Sequence, residues 1–266
     1  MLQASCTRYT SERLEQSRYP ILNAYVNALT MDQTVEEIEQ IIAARIPTQH
    51  VVINASKVNL MEDDPALAEI VKRCPLINAD GASIVLAAKV LGVPLTERVT
   101  GIDLFLRLVD VAANKGYGIY LFGAHENVVS KVREVFEEKY PSIRIVGYRS
   151  GYFTDEDDPH IVADMAVSGA DIMFVAFSSP KKEYWVNKYL DQLGIPFVMG
   201  VGGSFDVVAG VTERSPRWMQ DHGLEWLYRF IQEPRRLWKR YIIGNVRFVV
   251  LMLKYKFKND RSGKNG

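Results

Sequence analysis

Five short apolar runs, separated by helical patterns, constrain this chain more than any other feature. They are His50 to Asn54, Leu76 to Ala79, Tyr117 to Gly123, Asp171 to Phe177 and Pro196 to Gly202. Continuous β-branched and apolar stretches of this length suit strands covered on both faces, and their alternation with helices argues for βαβ units. Ile143 to Tyr148 adds a weaker strand, and Val26 to Leu29 a short one. The expected fold class is therefore α/β: a Rossmann-like, mostly parallel sheet flanked by helices. In such sheets ligands bind at the carboxyl ends of the strands, so the residues that terminate each run become the candidates for chemistry.

The turn after the second run is the most telling. Leu76-Ile77-Asn78-Ala79 is followed by Asp80-Gly81, and Ser83 then stands where it would cap the helix from Ile84 to Leu91. Asp80 is placed at a strand end facing the crevice, although an Asp-Gly pair can serve only to shape a turn. Gly200-Val201-Gly202-Gly203-Ser204-Phe205 begins like a dinucleotide fingerprint but has Phe205 at the third glycine, and no P-loop lysine follows. A glycine turn of this kind can still admit a diphosphate to backbone amides, or simply close a strand. Gly123, before Ala124-His125-Glu126, offers the same pair of readings. Asp155-Glu156-Asp157 has the form of a divalent-cation motif, but Asp158-Pro159 behind it marks a helix amino terminus, and no metal site is expected.

Composition narrows the class. Apolar residues at 48% and charged residues at 24% are ordinary for a globular protein of 266 residues, and the formal net charge is zero. Cys6 and Cys74 suit neither a disulfide framework nor a metal motif, which favours a reducing compartment. No stretch reaches the ~20 apolar residues of a membrane span. The neutral total hides a basic carboxyl end, where 11 Lys and Arg from Arg229 onward face only Glu233 and Asp260. There Trp218, Trp226, Tyr228, Trp238 and Tyr241 interleave with arginines, a pattern that suits an anionic membrane surface better than nucleic acid. Arg235 to Tyr255 reads as one helix with Arg236, Arg240 and Arg247 on a shared face. Residues 1–19 read as a flexible extension, 20–214 as the α/β domain, and 215–266 as a basic helical appendage.

Taken together, Asp80-Gly81, Glu97 to Asp103, Gly151-Tyr152-Phe153, Pro180-Lys181-Lys182-Glu183, Gly200 to Asp206 and Gly223 to Arg229 resemble the WecG/TagA/CpsF family, glycosyltransferase family 26, in the right order across Asn23 to Phe248. The resemblance implies an inverting transferase. It would move a ManNAc-, ManNAcA- or glucose-type sugar from a UDP-sugar to an undecaprenyl-diphosphate-linked acceptor in cell-surface polysaccharide synthesis. By resemblance, Asp80 is the catalytic base and Arg98 acts beside it. Asn54, Gly81, Gly123, Lys182, Glu183, Gly202, Gly203 and Asp206 belong to the substrate pocket, and Arg229, Arg236 and Lys239 or Arg240 close over it from the carboxyl end. Lys182 stands where the family usually has Gln. No cofactor or metal is implied, since the UDP-sugar is a substrate. The expected location is cytoplasmic, peripheral on the inner face of a bacterial plasma membrane, with a homo-oligomer left open and no nucleic-acid partner. A Rossmann oxidoreductase would need the intact glycine fingerprint; a non-catalytic nucleotide-binding or membrane-scaffold module would tolerate loss of Asp80.

Overall fold

The structure is a computed structural model that describes residues 8–238 and 242–262. The chain opens with a short helix, α1 (Glu12–Gln16), and an antiparallel hairpin, β1 (Arg18–Ile21) and β2 (Ala24–Asn27). Residues 9–19 are thus not a loose extension. Ser11 caps α1 and donates to Glu37, and Tyr9 and Leu14 are buried. Asn27, fully buried, donates to Leu14 O and Ser17 Oγ and accepts from Ile77 N at 2.9 Å, which ties the hairpin to the main sheet. A polar composition concealed these anchors, because two apolar side chains and one amide suffice to fix a short segment.

Helix α2 (Met31–Ala44) starts at a capping box formed by Thr30 and Gln33 and leads to β3 (Thr48–Ile53). Next come α3 (Ala55–Asp63), capped by Asn54, and α4 (Pro65–Arg73), capped by Asp64 with Pro65 in its first turn. Then follow β4 (Leu76–Ala79), α5 (Ala82–Leu91), α6 (Gly101–Lys115), β5 (Gly118–Gly123), α7 (Glu126–Lys139) and β6 (Arg144–Arg149). The body closes with α8 (Asp158–Ala166), β7 (Ile172–Ala176), α9 (Lys181–Leu193), β8 (Phe197–Gly200) and α10 (Ser204–Val208). The six-stranded sheet has the order β4-β3-β8-β7-β5-β6, and each of its pairings is parallel.

Alternation along the strands sends side chains to two cores. Leu121, Phe174, Phe197 and Met199 pack with α2, α6 and α7 on one face, while Ile53, Ile77 and Ala79 pack with α3, α4 and α5 on the other. Further along that second face, Phe122, Met173 and Val175 pack with α8 and α9. After β3 and β7 the chain therefore leaves toward one face, and after β8 toward the opposite one, where Phe205 of α10 joins the α6–α7 core. Such reversals open crevices on both sides of the β8 carboxyl end.

Beyond Pro216 lie α11 (Arg217–Asp221), α12 (Glu225–Gln232), α13 (Pro234–Trp238) and α14 (Gly244–Ser262). Of the helix expected from Arg235 to Tyr255, Arg236 lies in α13 and Arg247 in α14, and residues 239–241 between them lie outside the described residues. Arg247 instead makes a two-pronged ion pair with Asp63 at 2.5 and 2.6 Å, and Asn59 donates to Gly244 O. Phe248, Leu251 and Met252 are buried against the α3–α5 core, which makes α14 an integral part of the body's packing.

Phe105 is fully buried and meets Phe174 edge-on at 4.6 Å, with Phe136 and Phe205 at 5.6 and 5.8 Å. Phe105→Ala should lower unfolding free energy by about 3–5 kcal/mol in urea titrations, as expected for an aromatic cavity in a packed core.

Candidate active site

The carboxyl edge of the sheet gathers two groups of polar residues, one at β4 and one around β8. At β4 the chain turns at Asp80, whose amide donates to Ile53 O at 2.8 Å. Gly81 caps the amino terminus of α5 with φ +94°, where L side chains are strained, and no side chain caps the helix. Ser83 is thus not the cap that its position suggests, because Gly81, two residues earlier, turns the chain into α5 and leaves Asp80 at the strand end. A Cβ built on Gly101 would stand 3.9 Å from Asp80 Oδ2, so the carboxylate faces the first turn of α6.

Arg98, in the loop leading to α6, donates to Gln220 O at 3.0 Å and to Glu225 Oε2 at 3.3 Å. Arg214 bonds Asp103 at 2.5 Å and lies 3.8 Å from the other oxygen of Glu225. These contacts draw the 214–229 segment over the α/β body. Gly223 seals the approach: its φ is +69°, and a Cβ there would come within 2.7 Å of Ala82 Cβ.

Asp80 consequently sits half-buried among charges. Its pKa is raised, first by loss of water and then by Glu225, while Arg98 and Arg229 pull it down and Asp103 adds a small rise. Arg229, expected to close over the pocket, is an exposed residue of α12 whose charge is one of those lowering the Asp80 pKa. The backbone of Arg236 belongs to α13, and Lys239 and Arg240 lie outside the described residues.

Asn54 ends β3, next to β4, and its Oδ1 accepts from Lys57 N at 3.0 Å. Across the crevice, β8 runs into Gly202 (φ +54°) and Gly203. The stem of Lys182 lies over Gly200, where a Cβ would meet its Cδ at 2.6 Å, and its ammonium is 4.0 Å from a Cβ built on Gly202. Asp206, on α10, has a carboxylate oxygen 3.6 Å from a Cβ built on Gly203. Glu183 is buried, with its carboxylate ion-paired to Lys57, and with Lys57, Lys182 and Gly200 it lines one small cavity beside β3 and β8. Lys182, one residue earlier, keeps 14% of its side chain exposed and donates to Ser179 Oγ.

Gly123 lies farther along, about 19 Å from β4 at four strand spacings. Its φ is +122°, and a Cβ would come within 2.8 Å of the Ala176 backbone, so its place is set by close packing of two strand ends. Beside it His125 stacks on Tyr152 at 4.0 Å and 17°, with Tyr152 68% exposed. His125, Tyr152, Asp103 and Glu225 all lie in stretches marked by the sequence, but their pairing and the part played by Arg214 are not legible there, because the partners are far apart in the chain. Asp157 precedes α8 and accepts from Thr154 N and Oγ1 at 2.9 Å, with no side-chain bond to the helix it begins.

The profile of the glycosyl transferase WecG/TagA/CpsF family matches residues 19–262. The chain is 34% identical over 194 residues to the N-acetylglucosaminyldiphosphoundecaprenol N-acetyl-beta-D-mannosaminyltransferase of Bacillus spizizenii, spanning 73% of this chain and 74% of that protein. A protein of the same name from Bacillus subtilis is 33% identical over 194 residues, with the same shares of the two chains.

The charges around Asp80 set a testable order. Removing the negative neighbour in Glu225→Gln should lower the carboxyl titration midpoint of Asp80, and removing the positive one in Arg229→Gln should raise it. Carbon-13 NMR of the Asp80 carboxyl reads both shifts.

Proposed function

The chain belongs to the glycosyl transferase WecG/TagA/CpsF family, and from that premise we propose that it transfers a ManNAc-, ManNAcA- or glucose-type sugar from a UDP-sugar to an undecaprenyl-diphosphate-linked saccharide, inverting the anomeric centre. The observation that carries this reading is the placement of Asp80. It is a partly desolvated carboxylate at a crevice, flanked by Arg98 and Arg229 and facing the first turn of α6. Both relatives are named for transfer to a diphosphoundecaprenol-linked N-acetylglucosamine, which supports an acceptor of that class here.

The chemistry follows from these roles. An acceptor hydroxyl attacks the anomeric carbon of the donor as its proton passes to Asp80. The bond from that carbon to the diphosphate oxygen breaks, and UDP leaves with the electron pair. A raised pKa makes Asp80 a stronger base than an exposed carboxylate, and a positioned base contributes typically about 10²–10⁴-fold. Charge growing on the leaving diphosphate is met by fixed donors, for which the guanidinium fork of arginine is well suited. We assign this role to Arg98 and Arg229 on one side and to Lys182 with the Gly202-Gly203 turn on the other, without a divalent ion. The stacked His125 and Tyr152 rings then offer the uracil an aromatic surface at the far end of the same edge.

The appendage supports a peripheral position at an anionic membrane, on the cytoplasmic side where UDP-sugars are found. Val246, Val249, Val250, Leu253 and Phe257 are exposed on α14 with Lys254, Lys256 and Lys258 among them. Among the described residues no helix is long and apolar enough to cross a membrane. Surface binding of this kind draws on buried apolar area and on attraction to anionic lipids together.

Two measurements bear on this reading. Asp80→Asn should cut sugar transfer from UDP-ManNAc to a prenyl-diphosphate GlcNAc acceptor by about 10²-fold or more while UDP still binds; an unchanged rate would favour the non-catalytic module. Co-sedimentation with vesicles containing phosphatidylglycerol should fall with added salt, and fall further when Lys254, Lys256 and Lys258 are all changed to Gln.

A further inference from the structure

One unbroken polar chain joins the two walls of the crevice, and none of the roles above requires its central members. It starts at Asn54, whose Oδ1 accepts from the backbone amide of Lys57 at 3.0 Å. Lys57 turns its ammonium inward to Glu183 Oε1, with the two side chains only 4% and 1% exposed. The same oxygen accepts from Ser179 Oγ at 3.1 Å, and Ser179 Oγ in turn accepts from Lys182 Nζ at 2.8 Å. The stem of Lys182 crosses Gly200. The chain therefore begins on the β3 wall and ends on the β7–β8 wall of one opening, passing beneath it through a buried ion pair.

Stability alone is a poor reason for this pair. Taking two charges out of water is costly, and an apolar pair of similar volume is often as stable or more so. Nor is the carboxylate fully satisfied, since Glu183 Oε2 has no hydrogen-bond partner in its buried position. What an ion pair provides and an apolar pair does not is direction. It sets where the first turn of α9 lies against the first turn of α3, and with it the separation of Asn54 and Lys182. Gln49 of β3 adds to the same joint, donating to Glu183 O at 3.3 Å.

We propose that Lys57 is a positioning residue: through Glu183 and Ser179 it holds Lys182 in register with Asn54 across the crevice that receives the donor diphosphate. Lys57 does not itself meet the donor, because its ammonium is enclosed between α3 and α9. The inference rests on the donor reading above and adds to it a residue that reasoning from motifs did not single out. Misplacing a binding group by about an ångström can cost a large factor in an otherwise intact site, so the effect belongs in donor affinity and not in folding.

The test replaces the pair by apolar residues of similar volume, Lys57→Met with Glu183→Leu, in the full chain. Isothermal titration with UDP reads affinity, urea unfolding reads stability, and transfer kinetics separate KM from kcat. The expected result is an unfolding midpoint at or above that of the parent, with UDP affinity weakened about tenfold or more and the donor KM raised in step. Lys57→Arg, which keeps the ion pair, should retain most of the affinity. Ser179→Ala removes the hydroxyl that Glu183 and Lys182 share, keeping the Lys57–Glu183 pair and leaving Lys182 only its 3.5 Å contact with Glu183 Oε1, and it should weaken UDP binding in the same direction even where the double variant does not fold. Parent-like UDP affinity in a folded double variant, or in Ser179→Ala, overturns the proposal. Failure of the unaltered protein to bind UDP overturns the donor reading itself, and this inference with it.

Discussion

A parallel sheet covered on both faces leaves polar side chains few places to lie. In the central strands β8, β7 and β5 the interiors are almost wholly apolar, and the backbone there is paired with neighbouring strands on both sides. Side chains with chemistry to perform are displaced to the ends of the strands, where the chain leaves the sheet and water can enter. All six strands run the same way, so their carboxyl ends share one edge. Asn54, Asp80, the Gly200–Gly203 turn and Gly123 lie along it because of that direction and for no local reason. The order of the strands then decides who meets whom. Inserting β8 between β3 and β7 brings a glycine turn from late in the chain beside an asparagine from early in it.

A second constraint is electrostatic. Asp80 stands at the crevice with its water partly removed, which by itself would push it toward the neutral form. Arg98 and Arg229 oppose that, while Glu225 occupies Arg98 and lends its own negative field. The ionisation of Asp80 thus depends on residues from the far end of the chain. In the function proposed, the carboxyl-terminal segment completes the site as well as covering it. Gly223 makes the closure possible, since any side chain there would strike Ala82. The same segment continues into α14, whose buried face is core and whose outward face is apolar and basic. One helix thus links the packing of the body to the surface proposed to meet the membrane.

Within the crevice, fixed charges show how neighbouring residues of similar type are given different work. Lys182 and Glu183 are adjacent in sequence, yet the helix sends the first across Gly200 and the second to Lys57. Burial would raise the pKa of Glu183; Lys57 and then Lys182 outweigh it and hold the carboxyl below its ordinary value. Its carboxylate is therefore held charged by the framework and is not offered to a ligand.

Sequence alone determined the things that depend on short-range pattern. Apolar runs alternating with helical stretches dictate a parallel α/β sheet, Asp80-Gly81 and Gly200 to Gly203 mark the strand-end turns, and Asp158-Pro159 marks where a helix begins. These were legible because strand burial, turn geometry and capping act within a few residues. The docking of α14 and the anchoring of the residues before β1 were not, since the first rests on contacts with α3 and the second on a single buried amide bonded to β4. Only the tertiary structure decided that Glu183 is buried against Lys57 while Lys182 crosses Gly200, that Tyr152 stacks on His125, and that Glu225 and Arg229 act on Asp80. Those outcomes depend on charges and rings far apart in the chain coming within a few ångströms, and strand order with packing of the two cores sets such distances, not the identity of neighbours in sequence.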